Sequence, residues 1–347
     1  MAQLKWDLKN FVIRSSVDYV HDLRQILKSY SADVILCDMG MLSGLFTAEL
    51  TGLPIVVYSP LSPGLISRDT GLFGPGLLPN TSVLGRLRNR LLNWLIWYVI
   101  LNGISREMNK VRMTLGLPKA KEPFFDIIAR RADIYLQSGT PSIDYPRSDQ
   151  PGNIHYIGPL IPDPPAGFVP PQWWGEPESG RRVILVTQGT LATDPHRIVI
   201  PSLRALADAD VLVIVTTSGQ SEEPEASKLP PNVRVEKFIP YSMLLPYVDV
   251  MVTNGGYGGT LMALSHGIPL VGSGRIEDKA GVCQRISWSG AGINLKSNSP
   301  KPAMIKKAVM TVLNNKKYKE RAMELKKDFE RYDAPTRAAE LIENLVI

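Results

Sequence analysis

Apolar residues in the first half of the chain alternate between helical spacing and short continuous runs. They recur on one helical face over 17–30, and uninterrupted apolar runs follow at 34–37 and 54–58. A helical pattern at 41–50 separates the two runs. A strand, a helix and a second strand within about thirty residues form a βαβ unit, which predicts a parallel sheet. The rest of this half is predicted to contain a loop at 60–80, a long helical region at about 83–115 and strands at 134–137 and 154–157.

The second half of the chain alternates strands and helices more regularly. Apolar runs predict strands at 183–187, 211–216, 250–253 and 268–272, and a further strand is predicted at 233–238. Helical spacing predicts helices at 195–207, 260–266 and 278–288, and it returns from 301 to the end. Strands that alternate with helices in both halves indicate an α/β protein with two lobes, each built on a parallel sheet.

A segment rich in proline and glycine separates the two halves. Residues 162–180 carry too many of both for the interior of a helix or a strand. We therefore expect a first lobe at 1–161, a linker at 162–180 and a second lobe at 181–325. The final helical segment, 326–347, is expected to pack back on the first lobe.

Composition and charge exclude several classes of protein. An apolar content of 44% and a charged content of 21% are those of a globular chain, not a disordered one. Cys37 and Cys283 are too few for a disulfide framework or a cysteine-built zinc site, and the four histidines lack metal-ligand spacing, so no bound metal is expected. The net charge of +6 without a dense basic run favours an anionic ligand over nucleic acid.

Neither a secretion signal nor a transmembrane segment is predicted. The longest apolar run, at 91–101, has eleven residues, whereas a membrane-spanning helix needs about 20. Two interpretations of this run remain. It forms a core helix with solvated ends, or it makes a weak contact with a membrane surface or an apolar ligand. A cytoplasmic location fits best, and the sequence leaves the oligomeric state open.

The clearest chemical signal is a glycine cluster between a strand and a helix. The strand at 250–253 runs into Asn254-Gly-Gly-Tyr-Gly-Gly259, and a helical pattern begins at Thr260. Glycines let a ligand approach the backbone, and the free N–H groups at a helix start attract negative charge. Anion binding and a merely tight turn both explain this pattern.

Two other strands end in a similar way. One is followed by Thr187-Gln-Gly-Thr190 and by a helix predicted to open at Asp194-Pro195. Another ends in Thr216-Thr-Ser-Gly219. The carboxyl ends of parallel strands meet at one edge of a sheet, where such proteins bind ligands. Three polar, glycine-bearing strand ends at one edge predict a phosphate-bearing ligand.

The second half resembles the donor lobe of a family 1 glycosyltransferase with the GT-B fold, the group that includes bacterial macrolide and natural-product enzymes. Four motifs carry the resemblance: Phe238-Ile-Pro-Tyr241, Asn254-Gly-Gly-Tyr-Gly-Gly259, Gly267-Ile-Pro269 and Glu277-Asp278-Lys279. It implies that the first stacks on uracil, the second binds pyrophosphate and the last binds the donor sugar. The donor-binding residues are then Gln188, Gly189, Thr190, Gly219, Phe238, Ile239, Asn254, Gly255, Gly256, Gly258, Gly259, Thr260, Glu277, Asp278 and Lys279.

Three residues depart from the family pattern. Asn254 stands in the place of a histidine that binds pyrophosphate, and Met262 in that of a glutamate that binds ribose. Lys279 replaces a glutamine that binds the sugar. The resemblance therefore implies a nucleotide-sugar co-substrate, a UDP-sugar or a dTDP-sugar, and leaves the base and the sugar open.

On the acceptor side, the resemblance assigns Asp38 to hold a catalytic histidine that belongs to an earlier strand-to-helix loop. The chain starts too late to include that loop, so we expect an incomplete first lobe in which the 34–37 strand has an open edge. The expected activity is transfer of a sugar to a hydroxyl of a small, apolar acceptor, inverting and metal-independent, with 60–80 and 91–101 as acceptor walls. The alternatives are a nucleotide-sugar-binding protein without turnover, and a sugar-nucleotide epimerase, which the motifs at 238–279 disfavour.

We expect the isolated chain to be poorly stable, because an open edge of a parallel sheet exposes unpaired N–H and C=O groups. Thermal unfolding followed by circular dichroism tests this expectation. A cooperative transition at high temperature in a monodisperse sample would contradict it.

Overall fold

Two separate parallel sheets organise the computed structural model, which describes residues 2–71, 75–189, 194–217 and 229–346. The first sheet contains, in spatial order, β1 (Ile35–Asp38), β2 (Ile55–Ser59), β3 (Ile134–Ser138) and β4 (Ile154–Gly158). The second contains, from edge to edge, β10 (Gly292–Asn294), β9 (Leu270–Gly272), β8 (Val250–Thr253), β5 (Arg182–Thr187), β6 (Val211–Thr216) and β7 (Val233–Glu236). The predicted pair of parallel-sheet lobes is confirmed.

The helices of the first lobe include some that the sequence did not predict. They are α1 (Ala2–Asp7), α2 (Ser16–Ser29), α3 (Leu42–Thr51), α4 (Val83–Trp94), α5 (Asn102–Thr114) and α6 (Phe124–Arg131). The helical region predicted at about 83–115 is confirmed, and within it a π-helical turn at Leu95–Ile100 separates α4 from α5. The sequence did not predict α1 and the π-helical segment Leu8–Arg14.

The helices of the second lobe are α7 (Val199–Leu206), α8 (Tyr241–Leu244), α9 (Tyr257–Ser265), α10 (Lys279–Trp288), α11 (Pro302–Asn314), α12 (Lys316–Phe329) and α13 (Ala334–Val346). The prediction that a helix opens at Asp194-Pro195 is wrong, since α7 begins at Val199. Its cap comes from a distant side chain: Gln188 Oε1 accepts the Ile198 N–H at 2.8 Å. Helix α9 starts three residues before the predicted 260–266, and β10 was not predicted.

Burial explains why the strand patterns were readable from the sequence. All six residues of β6 are buried, and helices cover both faces of its sheet. Parallel strands that are buried on both faces consist of continuous apolar runs. The last helix, α13, leaves the second lobe and packs on β3 and β4 of the first, where Ala334 and Leu341 contact the cluster around Val56 and Ile157.

The first sheet ends at an open edge. Strand β1 pairs with β2 through Ile35–Ile55 to Asp38–Tyr58, and it has no other strand partner in the described part of the chain. Leu36 on this strand is 56% exposed. The 34–37 strand therefore lies at a sheet edge. Among the helices that the structure describes, none is both long and apolar enough to cross a bilayer.

A buried charge cluster joins the two lobes. Arg285 of α10 donates from Nε to Asp144 Oδ1 at 3.0 Å and from Nη2 to the Pro63 carbonyl at 3.1 Å. Asp144 also pairs with Arg147 and accepts the Tyr156 hydroxyl at 2.5 Å. Burial alone would raise the pKa of Asp144, but the two guanidinium groups hold it at about 2. The carboxylate is therefore ionised at neutral pH and loses its charge only as the pH falls toward 2.

The substitution Asp144→Asn is expected to lower the free energy of unfolding by about 3–5 kcal/mol. The buried guanidinium groups of Arg147 and Arg285 would then have no carboxylate to neutralise them. Urea unfolding measures this loss. The matched control Asp208→Asn removes an exposed carboxylate that pairs with Lys306 and should cost less than about 1 kcal/mol.

The same variant carries a pH signature. Because the pKa of Asp144 is depressed in the folded state, its stabilising contribution is complete above the unfolded pKa of about 4 and is lost as the pH falls toward 2. The stability difference between wild type and Asp144→Asn should therefore shrink on acidification below pH 4. A difference that stays constant down to pH 2 would contradict this assignment.

Candidate active site

A cleft of about 770 Å³ lies at the carboxyl edge of the second sheet. Leu61, which follows β2 of the first lobe, and Pro162, Asp163 and Pro165 of the linker contribute to its walls. The second lobe supplies the rest, chiefly Thr187, Gly189, Thr216, Lys237, Phe238, Ile239, Tyr241, Thr253, Asn254, Gly256, Tyr257, Gly258, Gly259, Met262, Glu277, Asp278 and Lys279. The three strand ends that the sequence singled out therefore converge on one cleft.

A row of threonines forms the floor of the cleft. Thr187 at the end of β5 is in register with Thr216 of β6 on one side and with Thr253 of β8 on the other. The Tyr241 hydroxyl lies 3.4 Å from Thr216 Oγ1, and burial raises the pKa of this phenol. The sequence placed Thr187 and Thr216 at two of the strand ends predicted to meet a ligand, but it did not count any of these residues among the donor-binding ones, and it did not single out Thr253. The available signal was that three apolar strands each end in threonine.

The glycine cluster forms the loop before α9 and the first turn of that helix. Gly256 precedes α9, and the first α-helical hydrogen bond runs from Thr260 N to Gly256 O at 3.0 Å. The N–H groups of Tyr257, Gly258 and Gly259 come before that bond, so they are the donors a helix start leaves to a ligand. A methyl group built on Gly258 would meet no atom within 4 Å. The absent side chain at 258 therefore leaves the helix start open to the cleft.

Asn254 connects the two phosphate-loop candidates. Its Nδ2 donates to the Gln188 carbonyl, and its Oδ1 accepts the Gly256 N–H at 3.1 Å. The side chain of Gln188 is itself used as the cap of α7, and its Nε2 donates to the Asp194 carbonyl at 2.8 Å. These side-chain amides hold the loops after β5 and β8 side by side. Asn254 and Gln188, which the sequence predicted as donor-binding residues, therefore have a structural function.

Gly255 and Thr260 serve the local fold and do not line the cleft. Gly255 has a φ of 83°, and a Cβ there would lie 2.5 Å from Cys283 Sγ. Glycine is thus required for α10 to pack against this loop. The Thr260 hydroxyl donates to the Gly256 carbonyl at 2.8 Å inside the helix.

Charged residues at the start of α10 close one side of the cleft. Glu277 has a φ of 57°, and its carboxylate pairs with the Lys279 ammonium. Asp278 precedes the first residue of α10; burial raises the pKa of this carboxyl, although the charge of Lys279 opposes the shift. Both Glu277 and Lys279 also line a smaller adjoining cavity of about 120 Å³. This side of the cleft offers charge-assisted hydrogen bonds to hydroxyl groups.

An aromatic side chain lies at the opposite side of the cleft. Phe238, two residues after strand β7, is 69% exposed, whereas its neighbour Ile239 is buried. An exposed phenyl ring beside a cleft offers a flat face to a planar ligand. The predicted positions of Phe238 and of Glu277, Asp278 and Lys279 thus bracket the helix start that carries Gly258.

The first lobe meets this cleft through the end of its own sheet. The Tyr257 hydroxyl donates to the Ser138 carbonyl at 3.0 Å, which ties the first residue of α9 to the end of β3. Asp38 ends β1 at the same edge, and its Oδ1 accepts the Gly40 N–H at 2.7 Å. Burial, aided by the charge of Asp38, raises the pKa of the Cys37 thiol to about 12, so this cysteine is no thiolate nucleophile at neutral pH.

Several predicted residues fall elsewhere. Thr190 and Gly219 lie outside the described residues. Asp38 does not line the cleft itself. Trp97, part of the proposed acceptor wall at 91–101, is 6% exposed and packs against Phe125 in the core. In the described ranges, no group of three or more histidine, cysteine or acidic side chains is arranged to hold a metal ion.

The chain is similar to known proteins over most of its length. Residues 201–345 match the family model described as "Erythromycin biosynthesis protein CIII-like, C-terminal domain". Over 97% of the chain it is 42% identical to 4'-demethylrebeccamycin synthase of Lentzea aerocolonigenes, covering 80% of that protein. Over 87% of the chain it is 37% identical to UDP-glycosyltransferase 2 of Phaeomoniella chlamydospora, covering 66% of that protein.

Solved structures agree in fold. The glycosyltransferase of kitacinnamycin superposes with a TM-score of 0.76 at 20% identity, covering 97% of this chain and 82% of its own. The spinosyn rhamnosyltransferase SpnG, complexed with thymidine diphosphate, gives 0.69 at 19% identity, covering 98% and 81%. These structures share the two-lobed GT-B arrangement. The chain belongs to the family 1 glycosyltransferases, as the motifs of its second half suggested.

The open position at Gly258 yields a test of the site. Gly258→Ala places a methyl group in the cleft without a clash, so the melting temperature should not fall. Affinity for UDP should fall about ten-fold or more, since hydrogen bonds to a charged group contribute about 1.5–3 kcal/mol each. Isothermal calorimetry measures the affinity. Gly152→Ala, also free of contacts and remote from the cleft, is the matched control. Unchanged UDP binding by Gly258→Ala would contradict the assignment.

Proposed function

We propose that this chain transfers a sugar from a UDP-sugar, or from the corresponding dTDP-sugar, to a hydroxyl of a small apolar acceptor in the cytoplasm. The transfer inverts the configuration at the anomeric carbon and uses no metal ion. UDP-glycosyltransferases among the relatives, and the thymidine diphosphate complex of a structural neighbour, support a pyrimidine diphosphate sugar.

The observation that carries this proposal is the helix start beside Gly258. A nucleotide-sugar reacts by breaking the bond between the anomeric carbon and the diphosphate, and negative charge develops on the departing oxygen. Preorganised backbone N–H groups at a helix start stabilise that charge without rearranging. The unhindered approach at Gly258 lets the diphosphate reach these groups.

The rest of the cleft orients the two ends of the donor. The exposed ring of Phe238 stacks on the pyrimidine base, and Thr187, Thr216 and Thr253 offer hydroxyl groups beneath the ribose and phosphates. The hydroxyl groups of the sugar form hydrogen bonds with Glu277, Asp278 and Lys279. Met262 lies in the same lining, and its thioether offers the ribose an apolar contact.

The acceptor enters from the first lobe. Leu61 after β2 and Ser138 at the end of β3 both lie against the donor lobe, so the carboxyl edges of the two sheets face each other. The acceptor oxygen attacks the anomeric carbon from the face opposite the diphosphate, which inverts its configuration. Its proton would pass to a general base, for which the family resemblance names a histidine that Asp38 holds in position.

Activity with a panel of aglycones tests the proposal. The protein is incubated with UDP-glucose or dTDP-glucose and each aglycone, with EDTA present to remove metals. An O-glucoside of inverted configuration, shown by the proton coupling constant of its anomeric centre, supports the full proposal. UDP binding without transfer supports the alternative of a binding protein without turnover, and an isomerised donor sugar supports an epimerase.

Separate binding of the base and the diphosphate distinguishes the subsites. Phe238→Ala should lower UDP affinity about two- to ten-fold, because aromatic stacking contributes about 0.5–1.5 kcal/mol. Its affinity for inorganic pyrophosphate should not change, whereas Gly258→Ala should weaken both ligands. The control is Phe11→Ala, which removes a phenyl ring of similar exposure, 66%, from the first lobe, away from the cleft. Equal losses of pyrophosphate and UDP affinity in Phe238→Ala would overturn the stacking role.

A further inference from the structure

Helix α4 turns its glycine and asparagine side inward. Gly85, Asn89 and Asn93 are buried. The amide of Asn89 donates to the Arg68 carbonyl at 3.1 Å, and that of Asn93 to the Ser67 carbonyl at 3.1 Å. Asparagine amides therefore dock this helix on the backbone of the preceding loop, where apolar side chains would be the usual contact.

The opposite side of the same helix is apolar and faces solvent. We call it the outer stripe; its side chains are between 40% and 85% exposed and comprise Val83, Leu84, Leu87, Leu91, Trp94, Leu95, Tyr98 and Val99. The run at 91–101 is therefore divided: Trp97 and Leu101 lie in the core, as the interpretation as a core helix expects, whereas its outer side chains are exposed. Exposed apolar side chains that follow one another along a single helix face are the kind of surface that marks an interaction site.

The outer stripe does not belong to the cleft of the active site. None of its residues lines the 770 Å³ cleft or the adjoining 120 Å³ cavity. The stripe follows the outside of a helix and is convex, whereas small-molecule sites are concave. A broad, flat partner fits it better than a small acceptor does.

The charges around the stripe identify the partner. Residues 70–106 contain Arg86, Arg88, Arg90 and Arg106 and no aspartate, glutamate or lysine. At 3.6 residues per turn, Arg88 and Arg90 fall on opposite sides of the line through Leu84, Leu87 and Leu91. An apolar stripe flanked by cations on both sides, with Trp94 and Tyr98 within it, is the pattern of a helix at a lipid interface.

We propose that the outer stripe docks this protein on an anionic lipid bilayer. The leucines and Trp94 enter the boundary between headgroups and acyl chains, and Arg88 and Arg90 contact lipid phosphates on either side. A second copy of the chain fits less well, because pairing two outer stripes would bring their arginines together with no acidic residue in 70–106 to offset them. The proposal needs no glycosyl transfer and stands apart from the proposed function.

Vesicle flotation of the full chain tests the proposal. We expect binding to vesicles of phosphatidylcholine with 30% phosphatidylglycerol and little to pure phosphatidylcholine. Leu87→Gln/Leu91→Gln should lower binding about ten-fold or more. The control Tyr19→Gln/Ile26→Gln removes two apolar side chains of similar exposure, 51% and 55%, from α2 and should bind as wild type. Unchanged melting temperatures show that all variants are folded.

The charge contribution has its own variant. Arg90→Gln should weaken binding to the anionic vesicles about five-fold at low salt and have less effect at high salt. Equal binding to neutral and anionic vesicles, or no binding to either, would overturn the proposal. So would a lipid-free dimer that Leu87→Gln/Leu91→Gln converts to a monomer, because the stripe would then be an interface between copies.

Discussion

The site depends on the start of α9, because the residues there contact three other parts of the chain. Asn254, just before it, binds the loop after β5, and Gly255 allows α10 to pack closely. Tyr257 ties it to the first lobe. The N–H groups that would receive a diphosphate are thus fixed in place before a ligand arrives. Such preorganisation is what makes backbone dipoles effective in catalysis.

The buried charges between the lobes extend this arrangement to the acceptor side. Helix α10 begins at Lys279 in the cleft, and six residues later its Arg285 is held by Asp144 and the Pro63 carbonyl. The side of the cleft that would hold the sugar is therefore attached to the first lobe through a rigid helix. Breaking a buried pair leaves an uncompensated charge, so this attachment resists separation of the lobes.

Helix α4 illustrates how far a hydrophobic pattern can be interpreted. The spacing of Leu84, Leu87 and Leu91 predicts a helix and an apolar face, but it does not tell whether that face lies inward. Here the asparagines on the other face find backbone carbonyls to bind, so the apolar face remains outside. Which side is buried depends on the carbonyls that Ser67 and Arg68 supply, and these residues lie 26 and 21 positions before the asparagines they bind.

The sequence by itself determined the two parallel-sheet lobes, nearly every strand, and the glycine cluster after Asn254, because local periodicity and glycine content are properties of neighbouring residues. It also indicated Phe238 and the acidic pair at 277–278 through the family motifs. Only the tertiary structure decided that Gln188 caps α7, that Asn254 holds the neighbouring loop, and that Thr187, Thr216 and Thr253 form one row. These contacts join strands and loops that are far apart in the chain. They depend on strand register and on the direction of each side chain, and local sequence patterns encode neither.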